Sequence, residues 1–491
     1  MSFLLRSRAR AIPLAARLAP RQAITRSTPH FRTVATKSTT QKTSKDASSP
    51  IPATHHSDAA SILLTLKKIF LTAGFGLIAY AGFLAVTDTR FHTLHRHVVV
   101  PLLRYIYPDG EEAHHAGTAA MKKMGDLGIN ILERGNPDSE GDLAVEIFGE
   151  TLWNPIGTSA GIDKGAEVPD ELLALGGSYV EVGGIVPEPQ AGNPKPRLFR
   201  VVSQNALINR FGLNSEGADK VAARLRERVR AYAIRMGLGA DAAAEQKVLN
   251  GEAGVPPGSL VAGKLMGVQI SKNKETPDDV ESVVRDYVTC VEKVGKYGDI
   301  IVVNVSSPNT EGLRDLQAQG PLTRILTAVT QAAQKIDRKT KPRVMVKVSP
   351  DEDSQEQVSG ICQAIYDSGV DGVIVGNTTR QRPSPAAVTE EEQLTLKETG
   401  GYSGPQLFPR TVNLVGKYRQ TLDQQAAKHG GGKKVIFGSG GITNGRQALE
   451  VLKAGADMVQ IYTALVYGGA GTVTRMKRQM RRELNKENKD E

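Results

Sequence analysis

The residues of this chain that could do chemistry recur in short loops, each following a run of apolar residues. In chain order these loops are Ser159-Ala160-Gly161-Ile162-Asp163-Lys164, Gly183-Gly184-Ile185-Val186-Pro187, Ser271-Lys272-Asn273-Lys274 and Asn304-Val305-Ser306-Ser307-Pro308-Asn309-Thr310. Then come Lys347-Val348-Ser349-Pro350, Gly376-Asn377-Thr378-Thr379, Gly438-Ser439-Gly440-Gly441-Ile442 and Tyr462-Thr463-Ala464-Leu465. Glycine turns let a backbone approach a ligand closely and offer N–H groups to an anion. Gly438–Gly441, Tyr462-Thr463 and, in a preceding loop, Ser403-Gly404 therefore suit a phosphate-bearing cofactor. No Gly-x-Gly-x-x-Gly follows an apolar run, so a nicotinamide site of the Rossmann kind is unsupported. The only histidine beyond residue 115 is His429, in a Lys/Gly-rich stretch, and Cys290 and Cys362 fall in predicted helices that lead into strands, at the wrong end for chemistry. Elimination leaves Ser307, Lys164 and Lys347 as candidate bases. A serine is a poor base unless something takes its proton onward, and beside Pro308 it equally reads as a loop serine bonding its own backbone. Lys347 ends a buried run, where an unpaired ammonium is costly, and this calls for a ligand partner.

The apolar runs that carry these loops are Ile156–Ala160, Ser178–Val182, Leu265–Ile270, Ile300–Val305, Val344–Val348, Gly372–Val375, Lys434–Phe437 and Met458–Ile461. Most are apolar throughout, as parallel strands buried on both faces require. Amphipathic stretches lie between them, such as Pro277–Gly295, Leu322–Lys335 and Ser354–Ser368. Eight strand–helix units predict a closed (β/α)8 barrel over about residues 145–485, with function on the loops after the strands. An open doubly wound sheet would normally need fewer strands. A stretch at about 230–263, rich in Ala, Glu and Gln and then in Gly and Pro, lengthens the second connection and reads as a surface insertion.

The first 130 residues are of another kind. Residues 1–50 hold ten of the Lys/Arg and a single acid, Asp46, so nearly all of the net charge of +10 sits in a tail. A folded nucleic-acid-binding face is thereby excluded. Residues 1–45, rich in Arg, Ser, Thr and Ala, have the composition of a mitochondrial transit peptide, and 46–68 read as a linker. Ile69–Val86 is an uncharged run of eighteen residues, long enough for one membrane span. Lys67 and Lys68 before it predict an N-terminus on the matrix side and a barrel facing the intermembrane space. Residues 88–130 alternate apolar and basic positions around Pro108-Asp109-Gly110, predicting two short amphipathic helices able to rest on a bilayer. The histidines there (His92, His95, His97, His114, His115) match no standard metal spacing, so no metal is expected.

From about Asp88 to Leu484 the chain resembles the class 2, membrane-bound, quinone-linked dihydroorotate dehydrogenases. The most specific pieces are Ala160–Lys164, Asn209-Arg210-Phe211-Gly212-Leu213-Asn214, Asn304–Thr310, Glu398-Thr399-Gly400-Gly401-Tyr402-Ser403-Gly404 and Gln460–Leu465. The resemblance implies FMN as cofactor, ubiquinone as acceptor, and oxidation of (S)-dihydroorotate to orotate in de novo pyrimidine synthesis. By motif it makes Ser307 the base for the C5 proton, where cytosolic class 1 enzymes carry a cysteine. It makes Lys164, Asn209, Arg210, Phe211, Gly212, Leu213, Asn304, Asn309, Asn377 and Thr378 the substrate contacts. Ser159, Ala160, Gly161, Lys164, Gly184, Gln269, Asn304, Lys347, Gly376, Ser403, Gly404, Gly440, Gly441, Tyr462 and Thr463 become the FMN cradle, with Lys347 beside the flavin ring. The helices of 88–130 become a hood through which quinone reaches the flavin, with His114 and Arg200 lining the tunnel. Three positions depart from the family pattern: Gly184 for Ser, Gln269 for Asn and Gly376 for Thr. Each departure removes or alters a side-chain hydrogen bond to FMN, worth about 0.5–1.5 kcal/mol. On the residues alone, another FMN barrel or a flavin-binding barrel without turnover remains open.

Overall fold

The computed structural model describes residues 56–309, 312, 314–383 and 388–490. The transit-peptide stretch, the first part of the linker and Thr310 lie outside the described residues. The chain divides into units spanning Met1–Phe70 and Leu71–Glu491.

Helix α1, His56–Thr87, is longer than the apolar run that predicted it, because the lysine pair at 67–68 is compatible with helix on both sides. Its stretch Ser61–Thr87 is 27 residues long and apolar enough to cross a membrane. After it the chain makes short helical turns from Thr89 to Val99, then α2 (Val100–Ile106) and α3 (Gly110–Asp126). Asp109 starts α3 by accepting from the Glu111 and Glu112 N–H groups at 2.8 and 2.9 Å, which satisfies two otherwise orphan donors. His95 is buried, and its Nε2 lies 2.9 Å from the Val86 carbonyl oxygen. One face of this region stays apolar and exposed: Val98, Leu102, Tyr105 and Ile106.

The barrel strands are β1 (Ile156–Thr158), β2 (Tyr179–Ile185), β3 (Leu265–Ile270), β4 (Ile300–Asn304), β5 (Arg343–Val348), β6 (Gly372–Val375), β7 (Val435–Ser439) and β8 (Met458–Ile461). Each pairs in parallel with the next, and β8 pairs with β1, which closes the barrel. All eight coincide with predicted runs to within three residues at either end. The interior of the N-terminal half is filled by Tyr179, Leu265, Ile300, Val302, Met345, Ile374, Phe437 and Met458, with Tyr179 edge-on to Phe437 at 5.1 Å. Gly267 makes room for Tyr179, whose hydroxyl would collide with any Cβ there. An antiparallel hairpin, Val145–Ile147 with Glu150–Leu152, caps this end with Ile147 and Leu152.

Two features differ from expectation. The 230–263 stretch is not only surface: its helix Ala242–Leu249 buries Ala244, Val248 and Leu249, and Leu260 follows them into the main core. At the other end of the barrel a three-stranded antiparallel sheet, Leu198–Val201, Ala206–Asn209 and Gly401–Ser403, spans the rim, with Asn209 opposite both Leu198 and Gly401. These strands are short and come from two distant connections, so no run of alternating residues announces them.

Candidate active site

All the loops singled out from sequence emerge at the C-terminal ends of the strands. A solvent-open cleft lies among them. Of the residues expected at a substrate or cofactor, Ser159, Ala160, Gly161, Lys164, Gly184, Asn209, Phe211, Gly212, Leu213, Gln269, Asn304, Ser307, Asn309, Lys347, Asn377, Thr378, Ser403, Gly404, Gly440, Gly441, Tyr462 and Thr463 line it. Arg210 and Gly376 do not. Arg210 turns to Glu398 (2.6 Å) and the Phe199 ring, bracing the rim sheet. Gly376 has φ +108°, and a Cβ there would fall on the Ser439 carbonyl oxygen, so this backbone admits no threonine.

Ser307 is buried, and among the described residues its Oγ accepts only from the Asn309 N–H at 3.4 Å. The four asparagines line the same cleft in two linked sets. Asn309 Nδ2 donates to Asn209 Oδ1 at 3.3 Å. Asn377 Nδ2 donates to Ser306 Oγ at 2.7 Å, and Ser306 Oγ donates to Asn304 Oδ1 at 2.9 Å. Lys164 lies over the Phe211 ring, 3.2 Å from its centroid, and donates to Asn214 Oδ1 at 2.7 Å. Burial, reinforced by the positive charge of Arg197, pushes its pKa down to about 7.

The floor of the cleft corrects one expectation. Lys347 needs no ligand to balance its charge, because Nζ pairs with Glu181 at 3.0 Å and donates to Ser159 Oγ at 2.8 Å. Glu181, fully buried on β2, also accepts from Gln269 Nε2 and Gln460 Nε2. Sequence reasoning missed Glu181, and it named Gln460 and Asn214 only within motifs, with no role. The available signal for Glu181 was its place two residues after Tyr179, which puts a lone carboxylate on the interior face of an otherwise apolar strand. The departures at 184 and 269 occupy one another's space: a Cβ on Gly184 would lie 3.2 Å from Gln269 Oε1, and that oxygen accepts from Asn304 Nδ2 at 3.1 Å.

Cys290 is not at the far end of the barrel. Its Sγ lies 3.7 Å from the Ile185 carbonyl oxygen, behind the ends of β2 and β3, where burial pushes the thiol pKa well above its usual value. It therefore serves as packing. Cys362 is likewise buried, its pKa raised to about 12.

The glycine end of the cleft fits a phosphate. Neither the Gly440 nor the Gly441 N–H donates to an acceptor among the described residues, and a Cβ on Gly441 would collide with the Phe408 backbone. Thr463 Oγ1 and Ser403 Oγ stand 2.9 Å apart beside them. Gln460 Oε1, buried at the floor, has no donor among the described residues. A planar group with an N–H and a phosphate tail matches these unfilled positions, as FMN does.

The helices before the barrel meet the rim close by. Arg197 grips Glu111 with two hydrogen bonds at 3.0 and 2.8 Å. Although burial alone would raise the Glu111 pKa, Arg197 holds it down to about 2. Arg200 donates to the Pro108 and Asp109 carbonyls at 2.7 and 3.2 Å, fastening the turn between α2 and α3. Burial, reinforced by the positive charge of Lys164, lowers the His114 pKa to about 4, so this ring is neutral at pH 7. Neither Arg200 nor His114 lines the cleft itself.

The family model of dihydroorotate dehydrogenase matches residues 142–484. The chain belongs to the dihydroorotate dehydrogenase family. A dihydroorotate dehydrogenase (quinone), mitochondrial, from Kluyveromyces lactis is 38% identical over 442 residues, covering 86% of this chain and 89% of that protein. Its counterpart from Schizosaccharomyces pombe is 38% identical over 399 residues, covering 80% and 83%. Among solved structures, a DHODH from Eimeria tenella in complex with ferulenol superposes with a TM-score of 0.65 at 32% identity, covering 79% of this chain and 96% of that one. Membership in the dihydroorotate dehydrogenase family makes the chain an oxidoreductase.

Proposed function

We propose that this protein oxidises (S)-dihydroorotate to orotate for de novo pyrimidine synthesis, with FMN in the cleft and ubiquinone as final acceptor. The observation that supports this reading is that Asn209, Asn304, Asn309 and Asn377 line one cleft with Ser307, Lys347 and Gln269 and are hydrogen-bonded in two sets. Amide side chains offer donors and acceptors in matched pairs, which suits a flat ring bearing imide and carboxylate groups. Protonated Lys164 balances the substrate carboxylate, and Phe211 beneath it keeps water from that charge. Ser307 takes the C5 proton and hands it on to solvent, since among the described residues no side chain accepts from it. Gly440, Gly441, Ser403 and Thr463 would hold the FMN phosphate, and Gln269, Asn304, Lys347 and Gln460 would contact its ring. Bound there, FMN supplies the acceptor for the C6 hydride.

The same reading makes residues 1–45 a mitochondrial targeting segment and 69–86 a single inner-membrane span, with the barrel of 145–485 facing the intermembrane space. Residues 88–130 form the hood that brings ubiquinone to the cleft past His114 and Arg200. The exposed apolar face of α2 supports contact with lipid.

Anaerobic titration of detergent-purified protein with dihydroorotate, followed by a ubiquinone analogue, tests both half-reactions. Bleaching of a flavin band near ~450 nm, reversed by quinone, is expected. A flavin that binds but never bleaches with dihydroorotate would overturn the substrate assignment.

A further inference from the structure

Glu181 lies beneath the cleft and not in it, yet three cleft-lining side chains converge on its carboxylate: Lys347 from β5, Gln269 from β3 and Gln460 from β8. Among the described residues Lys347 is the only cation within 4.0 Å of Glu181, and Glu181 the only acid within 4.0 Å of Lys347. Both side chains are almost wholly buried. Each charge is therefore balanced by the other alone.

Two consequences follow from elementary chemistry. A carboxylate only accepts hydrogen bonds, so both glutamines must turn their NH2 groups down to Glu181 and their carbonyl oxygens away from it. Gln269 Oε1 then takes the Asn304 amide at 3.1 Å, and Gln460 Oε1 remains as a buried acceptor without a donor among the described residues. The second consequence is electrostatic. An ammonium beside a ring that gains negative charge on reduction favours the reduced form. A carboxylate 3.0 Å from that ammonium subtracts from its field, and in a dry interior the subtraction is large.

We propose that Glu181 is a charge-balancing and positioning residue that holds the reduction potential of the bound flavin below the value Lys347 alone would set. It also presents the glutamine oxygens to the ring. This rests on the flavin reading above. An intermediate potential suits a carrier that must both accept electrons from dihydroorotate and pass them to a quinone.

The test is the midpoint potential of the flavin in full-length, detergent-purified protein, measured by equilibration with redox dyes for wild type, Glu181→Gln, Lys347→Met and the double variant. Glu181→Gln should shift the potential upward, Lys347→Met downward, and the double variant should return close to wild type. In stopped flow, Glu181→Gln should be reduced faster by dihydroorotate and reoxidised more slowly by a short-chain ubiquinone. Loss of flavin from Glu181→Gln with retention in the double variant also supports the charge coupling. An unshifted potential in flavin-replete Glu181→Gln overturns the proposal alone, as does equal flavin loss from both variants. A wild-type protein purified without flavin overturns the cofactor reading and this proposal together.

Discussion

The two ends of the barrel bury ionised side chains in different company. At the N-terminal end Lys477, wholly buried, pairs with both Glu133 and Asp138, and Arg481 binds Asp138 and Asp142. Asp299 there accepts from the Gly258, Ser259 and Met266 N–H groups, and Arg338 donates to the carbonyls of Lys296, Gly298 and Thr340. At the C-terminal end Lys164 has one side-chain acceptor, Ser307 one weak backbone donor, and Gln460 Oε1 and the Gly440 and Gly441 N–H groups none among the described residues. Both ends bury polar groups, and they differ in how far those groups satisfy one another: at the N-terminal end every ionised side chain named has an ion-pair or hydrogen-bond partner, with Glu133 Oε1 left over among the described residues. An end that satisfies itself holds the fold together, whereas an end left partly unsatisfied has capacity for a ligand.

Changing each end separately sharpens this contrast. Ser307→Ala should leave flavin content and melting temperature unchanged while slowing flavin reduction by dihydroorotate about 10²–10⁴-fold in stopped flow. A wild-type rate would remove Ser307 as base. Lys477→Met leaves the buried Glu133 without its cation and Asp138 with Arg481 alone, and should cost about 3–5 kcal/mol in denaturant unfolding. Its activity per folded molecule should not change; a kinetic defect would break the division between the ends. A third prediction concerns pH. Because the Lys164 pKa in the ligand-free cleft is held down to about 7, the ammonium that recognises a carboxylate is lost above that pH. Orotate affinity should be highest below pH 7 and fall up to tenfold per unit above it by calorimetry, and Lys164→Met should flatten the profile. The smallest effect is expected from Gly184→Ser, which restores a family hydroxyl where Gln269 Oε1 and a Leu213 methyl lie 3.2 Å from the new Cβ. It should tighten FMN binding by about 0.5–1.5 kcal/mol, measured on apoprotein, provided Gln269 gives way by a few tenths of an ångström.

The barrel was legible because its strands are buried on both faces and so read as apolar runs, each ended by glycine, asparagine or serine. The loops carried most of the residues that line the cleft for the same reason: polar residues placed after a strand sit next to a strong local signal. What escaped lies where side chains act across the barrel. Glu181 and Gln460 are 279 residues apart and meet only because β2 and β8 flank β1, and neither has a neighbour in sequence that betrays the contact. Lys347 was read correctly as a buried charge needing a partner, but sequence shows no spatial neighbours, so the partner was assigned to a ligand and not to Glu181. Cys290 was misplaced because helix periodicity reports a buried face without reporting its height along the barrel. The positive φ at Gly376 is invisible in sequence, where that glycine reads only as a missing threonine.

The rim sheet has a consequence for how the protein is made. Its pairing of Asn209 with Gly401 closes a loop of nearly two hundred residues, and the hydrogen bond between them spans 192 positions. Contacts of such separation are slow to form, and this one must wait until six of the eight barrel strands exist. The wall that carries Asn209 is thus completed late, so a chain emerging from a ribosome or a translocation pore acquires its binding site near the end of folding. Truncation before residue 403 would leave much of a barrel with no substrate wall.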